Sequence, residues 1–394
     1  ARADARMRAS RASTVASSSR PRDGIRRARV PTRPPRSPLA SASSSDRDVP
    51  EGDAHTCLVF SAREYERSTM ARALPNASFV AARCESSTVS LAKGCDAVCA
   101  FVDDDLGSSV VDALADAGVK LILLRCAGFD NVDVERARSR GVSVMRVPAY
   151  DPLAISEHAV GMMLALNRHL CASRDRVRAG NFTLDGLVGN SLREKTVGVV
   201  GTGKIGRGFA KICGDGFGMR VLGYDKFEKD DFRGEYVSLD ELLRESDVVS
   251  LHVPLTPETR GLIKKETIEK MKFGAMLINT SRGALVDARA AIDALYEGRL
   301  GALGLDVYEN ENRLFFKDFS SMDTSRRMMM WDETMAILGS LPQVLVTPHT
   351  AFLTHEALEE IANVTANNYR RFLSGDPLDG PGVVVAASVA SRAR

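Results

Sequence analysis

The chain has 394 residues, 44% apolar and 26% charged, the balance of a globular protein of two or three domains. It holds no run of 18 apolar residues, which excludes a transmembrane helix on the sequence pattern. The net charge of +2 hides an asymmetry: residues 1–45 carry eleven Arg and no Lys against two Asp and no Glu, a balance of +9, which leaves −7 for the other 349 residues.

That basic stretch also holds ten Ser, several Pro and no aromatic residue, so residues 1–54 are expected to form a disordered extension. Arg- and Ser-rich, acid-poor composition is that of an organelle transit peptide, with a plastid favoured over a mitochondrion and a cytoplasmic location if the segment does not target. The chain opens on Ala1, so a start methionine and further residues are expected to precede it. Nucleic acid and membrane are not expected partners, because the acidic remainder opposes phosphate binding. The seven cysteines include no C-x-x-C pair and no zinc spacing, so no metal site is expected and each thiol reads as a small buried apolar group in a reducing compartment.

From residue 57 short apolar runs alternate with helical patterns. Four read as buried strands: "CLVFSA" (57–62), "CDAVCAFV" (95–102), "VKLILLRCA" (119–127) and "VSVMRVP" (142–148). Between them, "SSVVDALADAG" (108–118) reads as a helix stopped by Gly118. Residues 151–182 read as one long, mostly buried helix that ties two domains together. A second series follows at 196–201, 220–225, 247–254, 275–281, 302–308 and 343–349, and five of these six strands end in a residue able to do chemistry. Alternation of this kind predicts an α/β fold with two Rossmann-like, doubly wound parallel-sheet domains and a cleft between them. The Met- and aromatic-rich stretch 313–341 reads as a packed excursion over the domain surface.

"TVGVVGTGKIG" carries Gly201, Gly203 and Gly206 as G-x-G-x-x-G after a strand and at the start of a helix, the context that makes this motif a dinucleotide site. Gly201 permits the turn, Gly203 lets backbone approach a pyrophosphate, and Gly206 lets helix and strand pack. Asp225 ends the next strand 24 residues after Gly201, where a carboxylate accepts from ribose hydroxyls and repels a 2′-phosphate. The pattern predicts NAD as cofactor.

Later strand ends supply Arg282, Asp306 and His349, with Glu309 and Glu311 both spaced to serve as a partner carboxylate. Arg282 is suited to forking a substrate carboxylate and polarising the adjacent carbonyl. His349 would pass a proton to the carbonyl oxygen as hydride arrives, and the carboxylate would orient its ring and stabilise its protonated form. His158 and His252 lie inside apolar patterns and read as satisfied core histidines, while His55, His169 and His355 read as surface or capping residues.

Taken together, "LRCAGFDNVD" (124–133), "VPAYDPLAISEHAVGMMLALNR" (147–168), "GTGKIG" (201–206), "SLHVPLTPETRGLI" (250–263), "NTSRGALVD" (279–287), "GLDVYENE" (304–311) and "TPHTAFLT" (347–354) resemble the D-isomer-specific 2-hydroxyacid dehydrogenases, and among them the bacterial fermentative D-lactate dehydrogenase branch. The resemblance spans roughly residues 57–378. It implies Arg282, Glu311 and His349 as catalytic residues, with Glu311 rather than Glu309 as the carboxylate. It implies NAD contacts at Lys204, Ile205, Asp225, Val253, Pro254, Thr259, Thr280, Ser281, Arg282 and Asp306. It places the substrate carboxylate at the backbone of Ala127 and Gly128, and a small pocket beside Tyr150 and Phe352, roofed in part by Phe101. The implied substrate domain joins 55–150 to 349–385, around an NAD domain at 151–348 and before a tail at 386–394. The implied assembly is a homodimer or a higher homo-oligomer. Pyruvate and D-lactate are the expected substrate pair, ahead of other 2-oxo acids such as hydroxypyruvate or branched ones, and ahead of an NAD-gated corepressor scaffold on the same fold.

Overall fold

The computed structural model describes residues 56–330 and 332–386. The expected N-terminal extension, His55, Trp331 and the tail beyond residue 386 lie outside the described residues.

Two sheets organise the rest. The first contains β1 (Cys57–Val59), β2 (Ala77–Phe79), β3 (Ala97–Ala100), β4 (Leu121–Leu124), β5 (Ser143–Arg146) and β13 (Val383–Val385), in the order β13-β5-β4-β3-β1-β2. All neighbours run parallel except β13, which returns antiparallel beside β5. The second contains β6 (Thr196–Val200), β7 (Arg220–Tyr224), β8 (Glu235–Tyr236), β9 (Val248–Leu251), β10 (Ala275–Asn279), β11 (Leu300–Leu305) and β12 (Val344–Val346), all parallel, in the order β12-β11-β10-β9-β6-β7-β8. Chain order reverses between β6 and β9, which opens a crevice at the carboxyl ends of the strands there.

The central strands are mostly apolar because parallel sheets are covered on both faces. Every residue of β3, β4, β6, β9 and β10 is buried. Each fully buried Leu or Ile of Leu121–Leu124 contributes roughly 1.5–3 kcal/mol relative to exposure. Helix His355–Leu373, N-capped by the Thr354 side chain, carries the chain back onto the first sheet, where Ala362, Ala366 and Tyr369 pack with Cys57, Val59 and Leu123.

The stretch 151–182 is two helices, not one. Pro152–Asn167 is capped by Asp151, whose carboxylate accepts from the Ala154 N–H. It packs along Lys204–Lys211, with Ser156 Oγ donating to the Ile205 carbonyl at 2.8 Å. The chain then breaks at His169, which takes a left-handed φ of 51°. Helix Leu170–Arg178 buries none of its residues. No Gly or Pro marks the break, so apolar density carried the helical pattern past it. Not every thiol is a core group either: Cys171 is exposed and Cys95 is half-buried.

Candidate active site

The turns that follow β4, β6, β10, β11 and β12 converge on one cavity of about 560 Å³ between the sheets. From the first sheet it takes Ala127, Gly128 and Tyr150, joined by Phe352. From the second it takes Gly203, Lys204 and Ile205, then Val253 and Pro254. Thr280, Ser281, Arg282, Asp306 and His349 complete the wall.

Arg282 follows β10 on a turn built by Asn279, which is fully buried. Its side-chain amide donates to the Arg282 carbonyl at 2.8 Å, and its oxygen accepts from the Ser281 N–H at 3.0 Å. A Cβ on the next residue, Gly283, would lie 2.1 Å from the Tyr308 carbonyl carbon, so this turn presses directly on the chain that leads to Glu311. The guanidinium donates through Nε to Asp130 at 3.1 Å and through Nη1 to the Ser281 carbonyl at 2.7 Å.

His349 sits in a left-handed conformation, φ 54°, uncommon for a residue with a Cβ. The turn is held by Asp306, whose carboxylate is fully buried. It accepts from Thr347 Oγ1 at 2.5 Å, the Thr350 N–H at 2.8 Å and the Ala351 N–H at 2.9 Å. Burial alone would push this carboxyl up, but hydrogen bonds from His158 and Thr347, with the electrostatic attraction of His349 and the Thr350 N–H, hold it below its ordinary value. The ring of His349 sets Nδ1 3.0 Å from Glu311 Oε1, and the other Glu311 oxygen accepts from the Tyr308 N–H at 3.1 Å. Glu309 instead faces Arg260 at the surface.

The end of the cavity at Tyr150 and Phe352 is apolar. Tyr150 and Phe352 meet edge to face at 6.0 Å, and burial pushes the Tyr150 phenol up. Burial pushes the Cys126 thiol up to about 12, so it stands in the wall as a neutral group. No hydrogen-bond acceptor among the described residues meets the N–H of Ala127 or Gly128. Phe101 is not on the wall of the main cavity; it lies between Phe316 and Phe352 with the Arg125 guanidinium 4.9 Å over its ring, and lines a smaller cavity with Tyr150, His349 and Phe352.

The cofactor side fits a dinucleotide. Gly201 has φ +94°, and a Cβ there would come 2.5 Å from the His252 carbonyl oxygen. A Cβ on Gly206 would come 1.9 Å from the Gly201 carbonyl oxygen, whereas Gly203 faces open space as it caps helix Lys204–Lys211. Thr280 Oγ1 and His252 Nδ1 are buried polar atoms of the cavity wall with no partner among the described residues, which a bound polar molecule would supply. Asp225 stands at the end of β7, accepting from the Thr202 N–H at 2.6 Å and the Phe227 N–H at 2.9 Å. Thr259 lies outside the cavity wall and braces its loop, donating to the Pro254 carbonyl at 2.7 Å.

One histidine and one insertion differ from their sequence reading. His252 leaves Nδ1 without a partner among the described residues, whereas His158 is satisfied as expected, its Nε2 3.1 Å from Thr347 Oγ1 in the Thr347–Asp306 bracket. The stretch after Glu311 is no surface excursion at its start, because Leu314 and Phe315 enter the core of the second sheet. Phe316, with φ 62°, reaches 5.4 Å from Phe101 and 6.2 Å from His349. The run "RLFF" was the available signal, since consecutive aromatics seldom point to solvent. Asn279 and Asp130 offered only the polar break after an apolar strand.

Residues 160–351 match the profile of the D-isomer specific 2-hydroxyacid dehydrogenase NAD binding domain. The D-lactate dehydrogenase of Escherichia coli is 48% identical over 292 residues, 73% of this chain and 87% of that one. The chain belongs to the D-isomer-specific 2-hydroxyacid dehydrogenase family. Among solved structures, the pyruvate reductase of Chlamydomonas reinhardtii is 49% identical with a TM-score of 0.78, covering 83% of this chain and 98% of that one. The D-lactate dehydrogenase of Aquifex aeolicus, solved with NAD and lactic acid, is 34% identical with a TM-score of 0.72, covering 81% and 96%. This dehydrogenase is therefore an NAD-dependent oxidoreductase of two parallel-sheet domains, acting on a small molecule. Among the described residues no helix is long and apolar enough to cross a membrane.

Proposed function

We propose that this dehydrogenase reduces pyruvate to D-lactate, and that the His349–Glu311 contact at 3.0 Å, on the same cavity as Arg282, carries the reaction. NADH, when bound, supplies the hydride to the carbonyl carbon. His349 donates the Nε2 proton to the carbonyl oxygen, while Nδ1–H donates to Glu311, which fixes the ring and stabilises its charge. Arg282 and the free N–H groups of Ala127 and Gly128 hold the substrate carboxylate, which orients the carbonyl toward His349. Asp225 takes the adenine ribose, and Lys204 and Ile205 offer the helix N-terminus to the pyrophosphate.

The narrow wall of Tyr150 and Phe352 favours a methyl-sized side chain, as do the names of the relatives above. The test is NADH oxidation by the full chain with pyruvate, hydroxypyruvate, glyoxylate and 2-oxoisocaproate in parallel, with the handedness of the product assayed. Preference for a bulkier acid would displace pyruvate and keep the chemistry. His349→Ala is expected to cut turnover by about 10²–10⁴ while NADH binding persists; full activity would remove His349 from the acid/base role.

We also propose a homodimer. Phe182, Leu184 and Val188 are 74%, 79% and 87% exposed on the arm after helix Leu170–Arg178, a concentration of apolar surface that a second copy would cover. A monomer in sedimentation would refute it. Delivery to an organelle, a plastid ahead of a mitochondrion, is proposed on the composition of residues 1–45 alone. A fluorescent fusion of residues 1–55 that stays in the cytoplasm would oppose it.

A further inference from the structure

Arg282 already has a carboxylate. Asp130 lies on the turn after β4 in the first sheet, Arg282 on the turn after β10 in the second, and Asp130 Oδ2 meets Arg282 Nε at 3.1 Å, so the ion pair spans the cavity. The backbone around Asp130 is fixed: Asn131 donates from its amide to the carbonyls of Phe101 and Asp104, at 3.0 and 2.9 Å, and its own carbonyl accepts from the Leu106 N–H. The Asp130 side chain is 57% exposed, and Arg282 is the side chain it pairs with among the described residues.

The remaining guanidinium nitrogens define where a ligand can sit. Nη1 gives one of its two N–H groups to the Ser281 carbonyl. Nη2 lies against Gly128: a Cβ there would be 2.2 Å from Nη2 and 3.5 Å from the same Asp130 oxygen. Asp130 therefore brings a carboxylate oxygen to the corner formed by Arg282 and Gly128, beside the unmet N–H groups of Ala127 and Gly128. A two-pronged grip on a substrate carboxylate through Nε and Nη2 requires the Nε donor that Asp130 holds.

We propose that Asp130 is a resident competitor for Arg282, which sets the affinity for the substrate's carboxylate by having to be displaced from it. The inference rests on reading Arg282 as the carboxylate anchor. It makes Asp130 an affinity-determining residue rather than a catalytic one. Loss of the Asp130 charge frees Nε and removes a repulsion against the incoming anion.

The test is Asp130→Asn, which keeps the shape, with Asp130→Ser as a second variant in case the amide forms its own bond to Arg282. Pyruvate KM and kcat are measured at saturating NADH, and the dissociation constant of oxamate, an unreactive isostere of pyruvate, is measured on the NADH complex. Both variants are expected to lower pyruvate KM and the oxamate constant in parallel by about two- to fivefold, the scale set by an exposed ion pair, with kcat changing less than KM. A higher KM together with a lower kcat would overturn the proposal and make Asp130 a residue that positions Arg282. Unchanged KM and oxamate binding would also overturn it. Failure of the anchor reading is separate: Arg282→Lys with unchanged pyruvate KM sinks that reading whatever Asp130 does.

Discussion

Gly128→Ala should damage catalysis without damaging the fold. The new Cβ would stand 2.2 Å from Arg282 Nη2 and 3.3 Å from its Cζ, whereas ordinary contact begins near 3.4 Å. The atom that must yield is the far end of a flexible side chain, so the fold adjusts at little cost. The guanidinium, however, has to retreat by about 1 Å, and misplacement on that scale costs up to ~10²-fold in a reaction that depends on alignment. We therefore expect kcat/KM for pyruvate to fall by about 10- to 100-fold, with the NADH dissociation constant and the unfolding midpoint close to those of the parent. Gly161→Ala is the control: its Cβ meets nothing within 4 Å on an exposed position of helix Pro152–Asn167, so it should stabilise by roughly 0.5–1 kcal/mol and leave kinetics alone. The readouts are steady-state kinetics, NADH fluorescence titration and denaturant unfolding. Parent-like kcat/KM in Gly128→Ala would refute the placement of Arg282 against this backbone.

Two more predictions concern the cofactor side. Asp225→Ser should raise the ratio of kcat/KM with NADPH to that with NADH by about tenfold or more, because the carboxylate that would repel a 2′-phosphate is gone; an unchanged ratio would remove Asp225 from the ribose site. His252 has an ordinary value of 6.5, and loss of water around its ring pushes it down to about 3. The folded protein therefore keeps the ring neutral while the unfolded chain takes up a proton below 6.5. Its share of stability is complete above pH 6.5 and is lost as the pH falls from there towards about 3. His252→Gln should flatten the decline of stability over that window in urea titrations, and an equally steep decline would assign the acid sensitivity elsewhere.

The sequence made the strands of both sheets legible wherever four or more apolar residues ran into a polar turn, as in "LILLRCA" and "MLINTS". It did not reveal β2, β8 or β13. These are two or three residues long at sheet edges, and none is buried throughout, so no apolar run announces them. The glycine fingerprint could be read because its requirement is local: each glycine answers to backbone within its own turn or the neighbouring strand. Asp130 and Phe316 could not. Their meaning lies in contacts with Arg282 and His349, 152 and 33 positions away in the chain, and only the closed fold brings those together.

Asp306 shows most clearly what the motif alone hides. The sequence offers it as one more acidic strand end, and the family resemblance as a cofactor contact. In the fold its two oxygens are taken by Thr347, Thr350 and Ala351, the residues that surround His349. A left-handed φ of 54° on a histidine costs roughly 1–3 kcal/mol and persists only where surrounding bonds over-determine it. Asp306→Asn tests that role. The amide keeps one acceptor oxygen and turns the other position into a donor that faces an N–H or hydroxyl, leaving a buried donor unmet at about 1–3 kcal/mol. That loss is comparable with the strain it was holding, so the His349 turn should relax. We expect stability to fall by about that amount and kcat to fall at least tenfold, with the loss persisting at saturating NADH. If the only effect were a higher KM for NADH, with stability and saturated kcat intact, Asp306 would be a cofactor contact, and the geometry of His349 would have to be held by something else.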